Sequence, residues 1–190
     1  MCGQYYFSGD DGDGRLQALV SAMEKQFPGQ YKTGDIFPGD AAPAMIAVEN
    51  RILPRPAVFG FPGFEKGRLL LNARAETAAE KKTFASILKT QRIILPASGF
   101  YEWGRDAEKA RYRFTVDGRR TAYLCGLYRV VDGQIRFVIL TRAANASMIE
   151  THDRMPVIAS AQDVRPYLTD YSAAAEILTN AAPALTRESA

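Results

Sequence analysis

The chain has 190 residues, of which 47% are apolar, and this is enough for one domain of ordinary size with a hydrophobic core. The net charge of +3 is too small to indicate a nucleic-acid partner by itself, although a local basic stripe could still bind one. The two cysteines, Cys2 and Cys125, lack metal-site spacing, and no apolar run of about 18 residues predicts a membrane span. These features predict a reduced, cytoplasmic protein, and neither a metal nor another cofactor is expected.

Cys2 is the first residue in chain order that could carry chemistry. Removal of Met1 would leave a terminal cysteine, in which an ordinary amine (pKa about 7.7–8.0) and an ordinary thiol (about 8.5) are both partly nucleophilic at neutral pH. The amine can attack an aldehyde to give an imine, and the thiol can then close a five-membered thiazolidine that an internal cysteine cannot form. Alternatively, Cys2 is an incidental buried or frayed end.

The first half of the chain predicts two helices separated by loops and short strands. In order, these are a turn at 8–14 rich in Gly and Asp, a helix at 15–27, a Pro- and Gly-rich region at 28–67 with β pieces at 45–48 and 57–59, a buried strand at 69–71 and a helix ending near Lys89. Thr77 and Glu80 have the spacing of a capping box and predict the start of that second helix.

The second half is predicted to be mainly β. Strands are expected at 92–95, 100–103, 112–116, 121–131, 134–141 and 155–158, followed by short helices at about 161–168, with Ser160 and Asp163 as a cap, and at 172–178. Hairpin signals at Asp117-Gly118 and Asp132-Gly133 predict a three-stranded antiparallel meander. Because hairpins join consecutive strands, the fold class is predicted as α+β, a single domain over 1–190 with a curved, barrel-like antiparallel β-sheet flanked by short helices.

Glu102 and His152 are candidates for acid–base work. His152 is the only histidine in the chain and lies at the edge of a predicted strand, where the alternative is an ordinary surface or core residue. Glu102 lies on a predicted strand and shares a face with Phe100. An inward Glu102 would suit proton transfer and an outward one would only be solvated, and the residues leave both alternatives open.

Asn72 and Arg74 follow the buried strand at 69–71, where loops converge. Asn72 could hold a nucleophile through its amide, and Arg74 could fork onto a phosphate. The alternative is a plain helix-entry turn, in which Asn72 bonds the backbone and Arg74 pairs with Glu76. Cys125 is predicted to be a small core residue.

Four ordered segments resemble the SOS-response-associated peptidase family, whose members process abasic sites. The segments are Cys2-Gly3, Asn72–Thr77, Gly99–Trp103 and His152–Pro156, and the resemblance runs from residue 2 to about 168. It implies that the protein loses Met1 and captures the open-chain aldehyde of an abasic deoxyribose in single-stranded DNA as a thiazolidine on Cys2. It also implies a self-processing peptidase activity and allows a lyase activity.

The resemblance also assigns roles to individual residues. Asn72 would orient the Cys2 amine, Glu102 would assist ring opening and proton transfer, and His152 would be the acid–base partner near the sugar oxygen. The DNA-binding residues would be Arg74 and Arg154, which hold flanking phosphates, together with Pro38 and Phe64. The implied partner is single-stranded DNA with abasic sites, bound by a monomer in the cytoplasm near the nucleoid or replication machinery, with no membrane, metal or cofactor.

Some positions depart from the family pattern. Gln4 stands where an arginine is usual, and Phe64 ends a loop that usually carries tryptophan, so phosphate binding and base stacking are expected to be weaker. Two other functions remain open at this point. One is an N-terminal-cysteine amidotransferase or hydrolase. The other is a module that binds single-stranded DNA without a covalent bond, in which Cys2 is incidental.

Overall fold

The computed structural model describes residues 2–9, 14–105 and 109–190. Five short helices occur in these ranges: α1 Gly14–Gln26, α2 Ala75–Ala78, α3 Ala85–Thr90, α4 Val164–Thr169 and α5 Tyr171–Thr179. The strands of the same ranges are β1 Gln4–Phe7, β2 Gly34–Ile36, β3 Ala41–Val48, β4 Arg51–Phe59, β5 Phe61–Pro62, β6 Leu69–Leu70, β7 Asn72–Arg74, β8 Arg92–Ala97, β9 Gly99–Trp103, β10 Arg111–Val116, β11 Ala122–Val131, β12 Gln134–Ala143, β13 Arg154–Pro156, β14 Ile158–Ala159 and β15 Leu185–Ser189.

The larger sheet curls into a ring of strands. Its order is β13-β12-β4-β3-β8-β11-β14, and a further pairing between β12 and β11 closes the ring. β7 pairs with β12 along the same edge as β4. The β4–β12 and β7–β12 pairings are parallel, whereas the other pairings of this sheet are antiparallel. The α+β class with a curved sheet and short flanking helices, predicted from the sequence, is confirmed.

A second, five-stranded sheet has the order β15-β10-β9-β1-β2, and it corrects the predicted meander. The Asp132-Gly133 hairpin joins β11 to β12 as predicted. The Asp117-Gly118 turn does not pair β10 with β11, because β10 lies between β9 and β15 in this other sheet. The C-terminal strand β15, which was not predicted, lies along β10 from Val116 to Tyr112 and satisfies its outer edge.

β12 separates two hydrophobic clusters. The inner core is shared by the ring and the second sheet and includes Tyr5, Phe59, Phe100, Phe114 and Phe137. The helix-side core lies under α3, α4 and α5 and includes Ile87, Leu127, Val138, Tyr167 and Ile177. Alternate residues of β12 supply the two clusters, as expected for a strand buried on both faces.

Cys125 lies on β11 within the helix-side core, as predicted for a small core residue. Burial raises the pKa of its thiol. Its neighbour Gly126 allows close strand contact, because a Cβ atom there would lie 2.6 Å from the carbonyl oxygen of Val138.

The predicted first helix is confirmed as α1, although most of the preceding turn, residues 10–13, lies outside the described residues. The predicted second helix is split into α2 and α3, and its capping box is wrong. α2 already begins at Ala75, and the Thr77 hydroxyl is buried without a hydrogen-bond partner in the described ranges.

The two closing helices follow the prediction as α4 and α5. Ser160 donates to the Asp163 carboxylate instead of capping α4 directly. The Asp170 carboxylate caps α5 by accepting from the backbone N–H groups of Ser172 and Ala173. The helices within 14–105 and 109–190 are too short or too polar for any of them to cross a membrane.

Candidate functional site

Cys2 lies two residues before the start of β1 and is buried in the inner core, with 1% of its surface exposed. Its Sγ atom is 3.8 Å from the Gln4 carbonyl oxygen, to which the thiol donates a weak hydrogen bond. Burial, and after it the charge of Glu102, raise the pKa of the Cys2 thiol. The thiol is therefore neutral at pH 7, and the small thiolate fraction expected from an ordinary cysteine does not apply. Met1 lies outside the described residues.

Glu102 points inward on β9, which decides between the two alternatives left open by the sequence. It is 5% exposed and shares the inner face of β9 with Phe100, while Trp103 on the opposite face is partly exposed. The β1–β9 register pairs Gln4 with Tyr101, so Cys2 lies beyond the end of β1 next to the end of β9 that carries Glu102. The charge of Glu102 thus lies close enough to contribute to the raised pKa of the Cys2 thiol.

Asn72 also faces the inner core. β7 runs parallel to β12, and Asn72 is aligned with Ile139, whose side chain packs in the same cluster as Cys2. Its Oδ1 atom is buried and has no hydrogen-bond partner among the described residues. Such an orphaned acceptor costs about 1–3 kcal/mol, so it is suited to receive an N–H group that arrives later. The backbone hydrogen bond expected in a plain turn is not made by this atom.

His152 lies outside the regular strands, two residues before Arg154, and most of its side chain is covered. Its Nδ1 atom is 2.9 Å from the backbone nitrogen of Arg154, which donates to it. The same Nδ1 is 3.0 Å from a carboxylate oxygen of Asp153, which also pairs with Arg105 at 3.3 Å. One ring nitrogen therefore has both a donor and an acceptor within reach.

Arg154 is bound by Glu76 rather than exposed to solvent. Its Nη1 and Nη2 atoms donate to the two Glu76 oxygens at 2.6 and 2.7 Å, and Nη2 also donates to the Thr141 carbonyl at 2.6 Å. The suggested pairing of Glu76 with Arg74 is therefore wrong. Arg74 is exposed at the end of β7, and neither a hydrogen bond nor an ion pair occupies its guanidinium among the described residues.

Pro38 and Phe64, the other predicted DNA-binding residues, lie on exposed loops. Pro38 is in the turn after β2, where the Phe37 backbone N–H donates to the Asp40 carboxylate at 3.0 Å. Phe64 lies between β5 and β6, and its ring is fully exposed. The loop is closed behind it by a 2.8 Å hydrogen bond from the Gly63 backbone N–H to the Arg68 carbonyl. These side chains are thus available to a partner, and the antiparallel β1–β2 register, continued by two residues, places Pro38 opposite Gly3.

The structure brings the predicted residues together in two groups. Cys2, Glu102 and Asn72 face the inner core, while His152 and Arg154 are joined to each other at the start of β13. One member of each group flanks the same strand, since β12 pairs with β7, which carries Asn72, on one side and with β13, which carries Arg154, on the other. His, Cys, Asp and Glu side chains of the described ranges form no group of three or more that could hold a metal.

Two polar residues near the site were missed or misjudged from the sequence. Tyr5 is fully buried in the inner core, and its hydroxyl has no hydrogen-bond partner in the described part of the chain. Burial, followed by the charges of Cys2 and Asp40, raises the pKa of that phenol. Gln4 is buried rather than phosphate-facing, so its position would not hold an arginine in solvent without rearrangement. The alternation of Tyr5 with Phe7 was the signal that could have placed Tyr5 inside.

Residues 1–188 match the model of the family described as SOS response associated peptidase (SRAP). This chain belongs to the SRAP family. It is 26% identical to the abasic site processing protein YedK of Escherichia coli over 181 residues, which are 88% of this chain and 79% of YedK. It is 35% identical to the abasic site processing protein YobE of Bacillus subtilis over 109 residues, 54% of this chain and 50% of YobE. The match thus spans about half of the Bacillus relative.

Solved structures share the SRAP fold of this chain. A phage-related protein of Bordetella bronchiseptica superposes with a TM-score of 0.76 at 23% identity, covering 100% of this chain and 94% of that one. A protein of Bacteroides thetaiotaomicron gives a TM-score of 0.75 at 19% identity, covering 99% and 91% of the two chains. At these identities the likeness concerns the fold alone.

Proposed function

We propose that this SRAP protein processes abasic sites in DNA by forming a covalent bond between Cys2 and the sugar aldehyde in single-stranded DNA. The observation that carries the proposal is a buried thiol at Cys2 beside the end of β9 that carries the buried Glu102 carboxylate, with the orphaned Asn72 oxygen facing the same interior. The names of YedK and YobE support abasic-site processing in general. We further propose a single domain over 1–190 that acts as a monomer in the cytoplasm near replicating DNA.

The first step is the attack of the Cys2 amine, exposed by loss of Met1, on the aldehyde carbon. Asn72 Oδ1 accepts an N–H of this amine and directs its lone pair towards the carbon. The resulting carbinolamine loses one water to give an imine. Ring opening, which must precede this step, needs a base for the sugar hydroxyl and an acid for the ring oxygen, and these are the roles of Glu102 and His152.

The second step closes the ring through sulfur. Because burial keeps the Cys2 thiol protonated, its proton must leave as Sγ bonds to the imine carbon. The Glu102 carboxylate accepts that proton, and the imine nitrogen gains one to become the thiazolidine amine. The whole reaction forms one C–N and one C–S bond and releases one water. Removal of Met1 is a peptide hydrolysis that would use the same carboxylate to activate water, and a lyase step would proceed through the imine.

The exposed residues supply the DNA-binding surface. Arg74, which lacks a protein partner in the described ranges, would hold a flanking phosphate, and Phe64 and Pro38 would contact bases. Arg154 has fewer free N–H groups for a phosphate, since its guanidinium already donates to Glu76 and Thr141. Binding before the covalent step should therefore weaken only modestly with salt, while a thiazolidine already formed should not respond to salt.

The proposal is tested with the two cysteines of the chain as a matched pair. Wild-type protein is incubated with single-stranded DNA containing one abasic site and analysed by denaturing electrophoresis. Cys2→Ala should abolish the denaturation-resistant adduct, whereas Cys125→Ala, which changes an equally buried thiol, should retain it. An adduct that persists in Cys2→Ala contradicts the proposal and favours non-covalent binding or attack by another residue.

A second variant separates the two chemical steps. Cys2→Ser keeps the terminal amine and removes the thiol, so it should form an imine that survives denaturation only after borohydride reduction. Wild-type adduct should survive without reduction. Release of ammonia from glutamine by the wild-type protein, lost in Cys2→Ala, would instead support the amidotransferase alternative.

A further inference from the structure

Glu76 joins two segments that are 78 residues apart in the chain. Both of its carboxylate oxygens accept from the Arg154 guanidinium, and Oε1 also accepts from the Ala143 backbone N–H at 3.1 Å. Arg154 and Ala143 are register partners between β13 and β12, so one carboxylate spans the junction of these strands. No other carboxylate in the described ranges contacts Arg154.

The guanidinium of Arg154 is held on more than one side. Nη2 donates to the Thr141 carbonyl as well as to Glu76, and the side chain of Arg154 is only 13% exposed. A planar fork held by two carboxylate oxygens has little rotational freedom. The hydrogen bond from Arg154 also holds the pKa of the Glu76 carboxyl at about 2, below its usual range. The ion pair is therefore intact throughout the neutral pH range.

The position of Arg154 determines which proton His152 can carry. The backbone N–H of Arg154 donates to His152 Nδ1, and an imidazole nitrogen that accepts a hydrogen bond cannot hold a proton. The neutral ring must then carry its proton on Nε2. The competing arrangement is equally close, since a protonated Nδ1 could donate to the Asp153 carboxylate at 3.0 Å. Two charged groups lie near this nitrogen, namely Asp153 and Arg105, which is itself paired with Asp153.

We propose that Glu76 is a positioning residue, which fixes Arg154 and thereby holds the neutral His152 ring in the tautomer with its proton on Nε2. His152 then presents an N–H donor, rather than an acceptor, on the side away from Arg154. Without Glu76 the Arg154 guanidinium keeps only its bonds to Thr141, the start of β13 is held less firmly, and Nδ1 can take the proton and turn to Asp153. The effect of Glu76 on abasic-site processing rests on the proposed catalytic role of His152. The effect of Glu76 on the His152 tautomer does not depend on that role.

The tautomer can be measured directly because His152 is the only histidine in the chain. Long-range ¹H–¹⁵N correlation spectra of ¹⁵N-labelled full-length protein, recorded at about pH 8.5 where an ordinary imidazole is neutral, distinguish Nδ1–H from Nε2–H. Wild-type protein should show the Nε2–H form. Glu76→Gln should give a mixture with Nδ1–H, and Arg154→Lys, which keeps the charge but loses the fork, should do the same. Glu24→Gln, which alters a hydrogen-bonded surface carboxylate of α1, should keep the wild-type spectrum.

Two results overturn the inference. One is a wild-type ring with its proton on Nδ1, and the other is an unchanged Nε2–H tautomer in folded Glu76→Gln. If Glu76→Gln does not fold, Glu76→Asp gives the same readout, because a shorter side chain cannot reach Ala143 and both Arg154 nitrogens together. A tautomer change without any change in the rate of adduct formation supports the positioning role of Glu76 and contradicts the catalytic role of His152.

Discussion

A substitution at Phe64 tests DNA binding without disturbing the stability of the fold. Its ring is fully exposed at a loop tip closed by the Gly63–Arg68 hydrogen bond, so Phe64→Ala removes almost no buried surface. Substitutions at such surface positions usually change the free energy of unfolding by less than about 0.5 kcal/mol. Stacking of a base on an aromatic ring is worth about 1–3 kcal/mol. The dissociation constant for single-stranded DNA should therefore rise by about 5- to 150-fold.

The assay is fluorescence anisotropy with labelled single-stranded DNA that has no abasic site, so that only non-covalent binding is measured. Val130→Ala is the matched control, since Val130 is another exposed apolar residue (60%) but lies on β11. It should bind as the wild type does. Phe64→Trp enlarges the ring and should bind more tightly. If Phe64→Ala binds as tightly as Val130→Ala, this loop does not stack on bases and its assignment to the DNA-binding surface is wrong.

Three further predictions concern stability. The pKa of Glu76 is lowered from 4.5 to about 2 in the folded protein, so its stabilising contribution is complete above about pH 4.5 and is lost as the pH falls towards 2. In urea unfolding, the free energy of unfolding of Glu76→Gln should therefore fall less than that of the wild type over this pH range. Equal losses would exclude the ion pair. Tyr5→Phe removes a buried hydroxyl without a partner in the described ranges and should raise the free energy of unfolding by about 1–3 kcal/mol, which a higher Tm would show. A lower Tm would mean that the hydroxyl has a hydrogen-bond partner. Asp170→Ala removes the N-cap of α5 and should lower the free energy of unfolding by about 0.5–2 kcal/mol in denaturant titrations, and an unchanged value would refute the capping bond.

Local sequence patterns predicted where the helices and strands lie better than which strands pair with each other. The Asp132-Gly133 turn gave a correct hairpin, because its two strands are long and adjacent in one sheet. Asp117-Gly118 carries the same local signal and gave a wrong one. The outcome there depends on β15, which is about 70 residues further along the chain and occupies the edge of β10. A turn motif contains no information about a strand so far along the chain, such as β15, that pairs with the same edge.

The sequence named candidate site residues but not their geometry. The motif segments supplied Cys2, Asn72, Glu102 and His152, yet the direction of Glu102 could not be decided until β9 was placed against β1. The alternative that paired Glu76 with Arg74 was wrong, because the true partner Arg154 is brought to Glu76 only through β12, which lies between the two motif segments in space. The neutral state of the Cys2 thiol follows from burial, which depends on the whole inner core.

The most direct test of covalent capture by Cys2 is the intact mass of the protein before and after incubation with abasic single-stranded DNA, followed by peptide mapping of the adduct. We expect a protein without Met1 and an adduct whose mass is the sum of protein and DNA minus one water, located on the peptide that begins with Cys2. A protein that retains Met1 and still forms the adduct, or an adduct located on any other residue, would contradict the account.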